Sequence, residues 1–174
     1  RVSRGLGDVY KRQIISNFGN LKERPKNGVG SQSYVGNFAS DGNRFVYAMN
    51  DFGYLACYEE ENGEIKQKWT HYMEKPLFDG YGSLDRKRLL DGFTDVTIHG
   101  DKVYAVYNGK SDSEKKDMGG ERYPTLILAF DIHTGALCEK YRTDRDICNF
   151  VIDPDGTIYG VGVNPEVEVV KYKL

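Results

Sequence analysis

The sequence predicts an all-β chain, a partial β-propeller of about three four-stranded blades from a six-bladed ring. Three observations predict it. First, one pattern returns three times: Asp41-Gly42-Asn43-Arg44-Phe45-Val46-Tyr47-Ala48, then His99-Gly100-Asp101-Lys102-Val103-Tyr104-Ala105, then Asp155-Gly156-Thr157-Ile158-Tyr159-Gly160. Aligned on the tyrosines at 47, 104 and 159, the copies are spaced at a nearly constant period, and β units at a fixed period build propellers. Second, middle strands such as Val103-Tyr104-Ala105-Val106-Tyr107 are apolar at consecutive positions. Strands buried on both faces read this way, as in stacked blades, whereas a one-sided sandwich would alternate. Third, 13 Tyr, 8 Phe and 20 Gly suit pleated surfaces joined by tight turns.

The elements follow in order. Residues 14–18 read as the outermost strand of a preceding blade. The first whole blade, about 34–69, begins with a strand at 34–39. Phe45-Val46-Tyr47-Ala48-Met49 and Tyr54-Leu55-Ala56-Cys57-Tyr58 form its middle. Asn62-Gly63 is the strongest short hairpin signal, because both central residues of the turn need positive φ, and a strand at 65–69 follows. The second blade, about 93–141, has strands at 93–98 and 103–107, an insertion, Leu126-Ile127-Leu128-Ala129-Phe130, a Thr134-Gly135 turn and 137–141. The third, about 147–174, has strands at 149–152, 157–161 and 167–174 and no fourth strand. A strand from the far end of a longer chain would complete it and hide the free edge. No segment carries a sustained helical period; residues 84–90 hold one or two turns at most.

The first thirteen residues, Arg1 to Gln13, closely resemble the translated read-through of a sequencing adapter, and no Met opens the chain. We read 1–13 as a non-native leader and 14–174 as a single fragment, the C-terminal piece of a longer protein. Without the leader the chain carries 20 basic and 25 acidic residues, a net charge of −5. A mildly acidic body with scattered charge lacks the basic face that nucleic acid requires, so no nucleic-acid partner is expected. No apolar run reaches the roughly 20 residues of a spanning helix; any membrane tie would be a lipid anchor at the missing N-terminus. Cys57, Cys138 and Cys148 lack metal-type spacing and read as small buried hydrophobes within strands.

Residues 14–174 resemble the C-terminal half of the TolB-like six-bladed propellers of Bacteroides-type bacteria. The likeness rests on Gly92-Phe93-Thr94-Asp95-Val96, Val103 to Gly109, Ala129-Phe130-Asp131, Asp144-Arg145-Asp146-Ile147, and Asn164-Pro165 through Leu174. It implies an envelope protein, periplasmic or at the cell surface, anchored as a lipoprotein, and it supplies no catalytic residues. Ala129-Phe130-Asp131-Ile132-His133-Thr134-Gly135 also resembles the blade repeat of quinoprotein propellers, a structural motif; no cofactor is expected.

Catalytic signatures are absent: no G-x-S-x-G elbow, no H-E-x-x-H, no phosphate-binding P-loop. His71, His99 and His133 are scattered, at a strand end and in turns, where a metal centre needs three or four converging ligands. Asp41, Asp101, Asp153 and Asp155 sit where Asx side chains bond their own turns. One such turn supplies too few oxygens for calcium.

Strand order assigns the loops. Connections between blades, and between second and third strands, emerge on one face. The long ones, 19–33, 70–92 and 108–124, therefore share it. Residues 110–117 read as a solvated flap. Aromatics beside basic side chains on 70–92 suit an anion or a sugar ring, so the expected ligand-binding residues are Phe78, Tyr81, Arg86, Tyr107, Arg122 and Tyr123. The function read from the sequence is a non-enzymatic module of the bacterial cell envelope that engages a protein or glycan-like ligand through this face. The alternative is a hydrolase or lyase of NHL-like or gluconolactonase-like type. It would need acidic ligands from inner strands, where Asn37, Asp95, Asn149 and Asp153 stand, completed by missing N-terminal blades.

Overall fold

The computed structural model describes residues 35–117 and 124–174. The expectations for the leader, for 14–18 and 19–33, and for Arg122 and Tyr123 fall outside them. Among the described residues, eleven strands form three antiparallel sheets. The first holds β1 (Gly36–Ser40), β2 (Arg44–Met49), β3 (Tyr54–Glu61) and β4 (Glu64–Tyr72), in that order. The second holds β5 (Phe93–His99), β6 (Lys102–Tyr107), β7 (Leu126–Asp131) and β8 (Leu137–Arg142). The third has three strands, β9 (Ile147–Ile152), β10 (Thr157–Gly162) and β11 (Glu168–Lys173). The innermost strands lie side by side, β1 next to β5 and β5 next to β9. The chain is therefore a partial propeller, an arc of sheets stacked about their first strands.

Local chemistry sets the strand ends. Asn62 and Gly63 adopt φ of 54° and 80°, and Glu61 pairs with Glu64 across them, the two-residue turn that Asn-Gly favours. Between β7 and β8, Asp131 Oδ1 accepts the amides of His133 and Thr134 and the Thr134 hydroxyl at 2.8–3.0 Å. Gly135 closes that turn at φ 71°, and a Cβ there would lie 2.5 Å from the Trp69 ring. Trp69, on β4, donates its indole N–H to the Ile132 carbonyl at 2.7 Å. The outermost strand of one sheet thus docks on a turn of the next. This accounts physically for the Asp-x-x-Thr-Gly signature: the Asp shapes the turn, and the Gly makes room for the neighbour's Trp.

Three clusters form the core. Val46, Ala48, Leu55, Cys57 and Trp69 of the first sheet meet Phe93, Val96, Val103, Ala105, Leu128 and Phe130 of the second. Tyr104, Val106, Ile127 and Ala129 on its other face meet Ile147, Phe150 and Ile158 of the third. The second sheet is apolar on both faces because both are covered. On the far side of the first sheet, Tyr47, Met49, Tyr54, Ala56 and Tyr58 pack with Phe52, Leu84 and Leu89.

This packing corrects the alignment of the copies. Tyr104 faces the third sheet, but Tyr47 faces away from the second. The turn between β1 and β2 has three residues and that between β5 and β6 has two. A one-residue difference exchanges the two faces of a strand. The equivalent positions are those that share a place in the ladder. Asn37 pairs with Ala48, and Ala48 with Leu55. Asp95 pairs with Val106, and Val106 with Ile127. Asn149 pairs with Val161, and Val161 with Val169. Each row runs polar, small or branched, then aliphatic, and each points toward the following position in the arc.

Other expectations are corrected as well. His71 lies within β4, paired with Leu55, and His99 ends β5. Cys57 is buried, but Cys138 is exposed and Cys148 half-buried; both stand on strands with one open face. Residues 110–117 are more than a flap, since a short helix α1 runs over Asp112–Asp117. Ser111 and Glu114 form its reciprocal cap, with the Ser111 amide 2.7 Å from Glu114 Oε2 and the Glu114 amide 3.3 Å from Ser111 Oγ, the Ser-x-x-Glu box that opens helices.

Candidate functional site

Strand alternation places 50–53, 73–92, 108–117 and 124–125 on one face, and backbone hydrogen bonds tie these loops together. Gly92 N–H donates to Asn50 O at 2.7 Å, Asn108 N–H to Gly92 O at 2.9 Å, and Asp91 N–H to Lys110 O at 3.0 Å. Glu74 accepts the Leu90 amide at 2.7 Å, folding the long connection back on its own root. Arg86 is ion-paired with Asp51 of the short loop. Binding residues gather on loops that a scaffold holds still, and these loops are so held.

The projecting part of the connection is built upward from apolar residues. Phe78 bridges to Leu84 and packs with Leu77 against the first sheet. Above them Asp79 Oδ1 accepts the amides of Tyr81 and Ser83 at 2.8 and 2.9 Å. This Asx turn carries Tyr81 at its tip with 72% of its surface exposed. Lys75 and Lys87 are exposed on the same connection, and neither has an ion pair among the described residues. Arg88 is held by Asp85 at 2.6 Å.

The expected ligand residues therefore separate. Tyr81 and Arg86 are presented to solvent, Arg86 with one side committed to Asp51. Phe78 is the base of the tip. Tyr107 is a core residue: its ring packs on Phe93 at 5.2 Å between centroids, and burial pushes its hydroxyl up to about 12. A Tyr ending an apolar strand reads alike whether it lies in the core or lines a site. Asp51 and Asp79 were not among the expected residues. Asp79 was legible, since an Asp ahead of Gly-Tyr-Gly marks an Asx turn. Asp51 acts through a partner 35 residues away, which no local pattern shows.

The inner-strand polar residues stitch sheets together. Asn37 Nδ2 donates to Thr94 O at 2.6 Å, from the first inner strand to the second. Asp95 Oδ2 accepts the Phe150 amide at 2.9 Å, from the third to the second. On the short-turn face a cleft of about 140 Å³ is lined by Arg44, Cys57, Glu59, Lys68, Ile132 and His133. Its cations are engaged: Arg44 with Asp41 at 2.7 Å, and Lys68 with Glu61 at 2.6 Å and Glu59 at 3.3 Å. Burial pushes the Cys57 thiol up to about 11, which makes it a poor nucleophile. Among the described residues no group of His, Cys, Asp and Glu could hold a metal, and no helix is long and apolar enough to cross a membrane.

No protein-family model matches the sequence, and no curated protein matches it. Solved structures resemble it at low identity. BamB from Moraxella catarrhalis is 16% identical over 79% of this chain and 36% of its own, with a TM-score of 0.40. Glutaminyl cyclase from Myxococcus xanthus is 13% identical over 79% of this chain and 47% of its own, TM-score 0.47. Apo AztD from Citrobacter koseri is 13% identical over 80% of this chain and 34% of its own, TM-score 0.44. The chain spans less than half the length of each of these three.

Proposed function

We propose that this chain is a non-enzymatic binding module of the bacterial cell envelope that takes a protein or glycan-like ligand on its long-loop face. One observation carries the reading: an exposed Tyr81 on a clamped turn, on the same connection as Lys75 and Lys87. A turn whose backbone is held by Asp79 loses little backbone freedom when a ligand stacks on Tyr81. Cations with no ion pair among the described residues add attraction for anionic groups. Two of the inner-strand polar side chains that a hydrolase would need, Asn37 and Asp95, are engaged between sheets, which favours binding over catalysis. The envelope location, with a lipoprotein anchor on a longer parent chain, draws its support from the TolB-like residues Gly92 to Val96 and Asn164 to Leu174.

The test is a screen of the whole chain against an oligosaccharide array and against envelope extract, with a photo-crosslinker at residue 81. Tyr81→Ala is expected to lower binding by about tenfold or more, the upper part of the range for losing one stacked aromatic, with unchanged thermal unfolding. Binding that is insensitive to Tyr81→Ala and Lys87→Gln, or that maps to the short-turn face, would refute the site. An antibody against the chain that finds the native protein in the cytosolic fraction would refute the location.

A further inference from the structure

The long connection between β4 and β5 sorts its charges. It carries the carboxylates Glu74, Asp79, Asp85 and Asp91 and the cations Lys75, Arg86, Lys87 and Arg88. Each carboxylate is engaged within the protein. Glu74 accepts the Leu90 amide at 2.7 Å, and Asp79 accepts the amides of Tyr81 and Ser83. Asp85 holds Arg88, and Asp91 accepts from the Asn108 carboxamide at 3.2 Å. The four cations are all exposed, and Lys75 and Lys87 have no ion pair among the described residues. The tip itself is a short hairpin: the Asp79 amide donates to Ser83 O at 2.8 Å and the Asp85 amide to Leu77 O at 2.9 Å. Tyr81 stands at its apex between Gly80 and Gly82, and a Cβ added at Gly80 would meet nothing within 4 Å. Lys75 and Lys87 flank the apex at equal distance along the chain, at the foot of the hairpin.

We propose that the ligand of this connection is an acidic polysaccharide, one that carries carboxylate or sulfate groups. This rests on the reading of the long-loop face as a binding surface and names the ligand class. The apolar face of the Tyr81 ring takes the C–H face of one sugar. Acidic groups further along the same chain meet Lys75 and Lys87. The connection's own carboxylates do not compete for these cations, because each already has a partner in the fold. A protein partner fits the tip less well. An aromatic anchor in a protein interface is ringed by contacts that exclude water. Here the apolar residues next to the tip are turned inward: Leu84 is buried, and Leu77 and Phe78 pack on the first sheet. One ring is left projecting between two glycines, the size of a single sugar.

Two matched pairs of probes test this on the whole chain: polygalacturonate against its methyl ester, and dextran sulfate against dextran. Within a pair the sugar backbone is kept and the charge removed. The expected result is that a charged member binds roughly tenfold tighter than its neutral partner, as two exposed charge contacts would give. That margin should shrink as salt rises from about 0.01 to 1 M and the screening length falls from about 30 to 3 Å. Lys75→Gln with Lys87→Gln should abolish the margin, and Lys75→Arg with Lys87→Arg should keep it. Tyr81→Ala should weaken both members of the pair alike. Lys140→Gln, on the outermost strand of the second sheet, should change nothing. A neutral member that binds as tightly as its charged partner overturns the proposal and makes the ligand a neutral glycan. Polyglutamate that binds as tightly as the charged polysaccharides overturns it in favour of an acidic peptide. A margin that survives the paired Gln substitutions, or that falls equally with Lys140→Gln, overturns it as well, as does binding of none of the four polysaccharides. Binding that maps to the short-turn face refutes the site itself, so the two failures are told apart.

Discussion

Tyr81 and Tyr107 are the same residue type with opposite duties, and packing decides which. Tyr107 is 8% exposed and Tyr81 72%. Tyr107→Ala is expected to cost about 3–5 kcal/mol, as for a large core aromatic; Tyr81→Ala should stay within about 0.5 kcal/mol. Urea unfolding of the two variants checks both. Gly135 makes a second case. Ala there meets the Trp69 ring and a φ of 71°, so Gly135→Ala should destabilise by roughly 1–3 kcal/mol and shift the Trp fluorescence. The Thr134-Gly135 turn was legible in the sequence. The Trp that rests on it lies in another blade and was not.

At the scale of elements, the polar heads of the inner strands decide how sheets join. Asp95→Ala leaves the Phe150 amide without its acceptor. The expected cost is about 1–3 kcal/mol, the price of a part-buried donor left unbonded, with faster exchange confined to β9. β4 carries a titration of its own. His71 Nδ1–H donates to Gly135 O at 3.0 Å, and the ring lies edge-on to Phe130 at 4.9 Å. Burial lowers its pKa below the usual 6.5, while the bond to Gly135 opposes the shift. The unfolded chain then binds the proton more readily than the folded one. This contribution to stability is complete above about pH 6.5 and is lost as pH falls through the lowered value. Thermal unfolding between pH 7 and 5 should show that loss, and His71→Gln should flatten the slope.

Strand positions were legible because consecutive apolar residues mark doubly buried strands, and Asn62-Gly63 announced its turn. Which face each residue takes was not. Aligning the three tyrosines ignored one residue of turn length, and with period two that reverses Tyr47. The helix over Asp112–Asp117 was legible in Ser111-Asp112-Ser113-Glu114, but the run of charge read as a solvated flap.

At the scale of the molecule, the second sheet is covered on both faces and the third on one. Stability should grade accordingly, with amides of β6 and β7 exchanging most slowly and those of β10 and β11 faster. The central claim is that the inner strands of three sheets lie side by side and are stitched by Asn37 and Asp95. The most direct measurement is the set of nuclear Overhauser contacts in the labelled whole chain at Phe150 and Asn37. The account predicts contacts from the Phe150 amide proton to the Asp95 β protons, and from the Asn37 carboxamide to the backbone at Thr94. A Phe150 amide that shows contacts only within its own sheet, and an Asn37 carboxamide with none to β5, would contradict it.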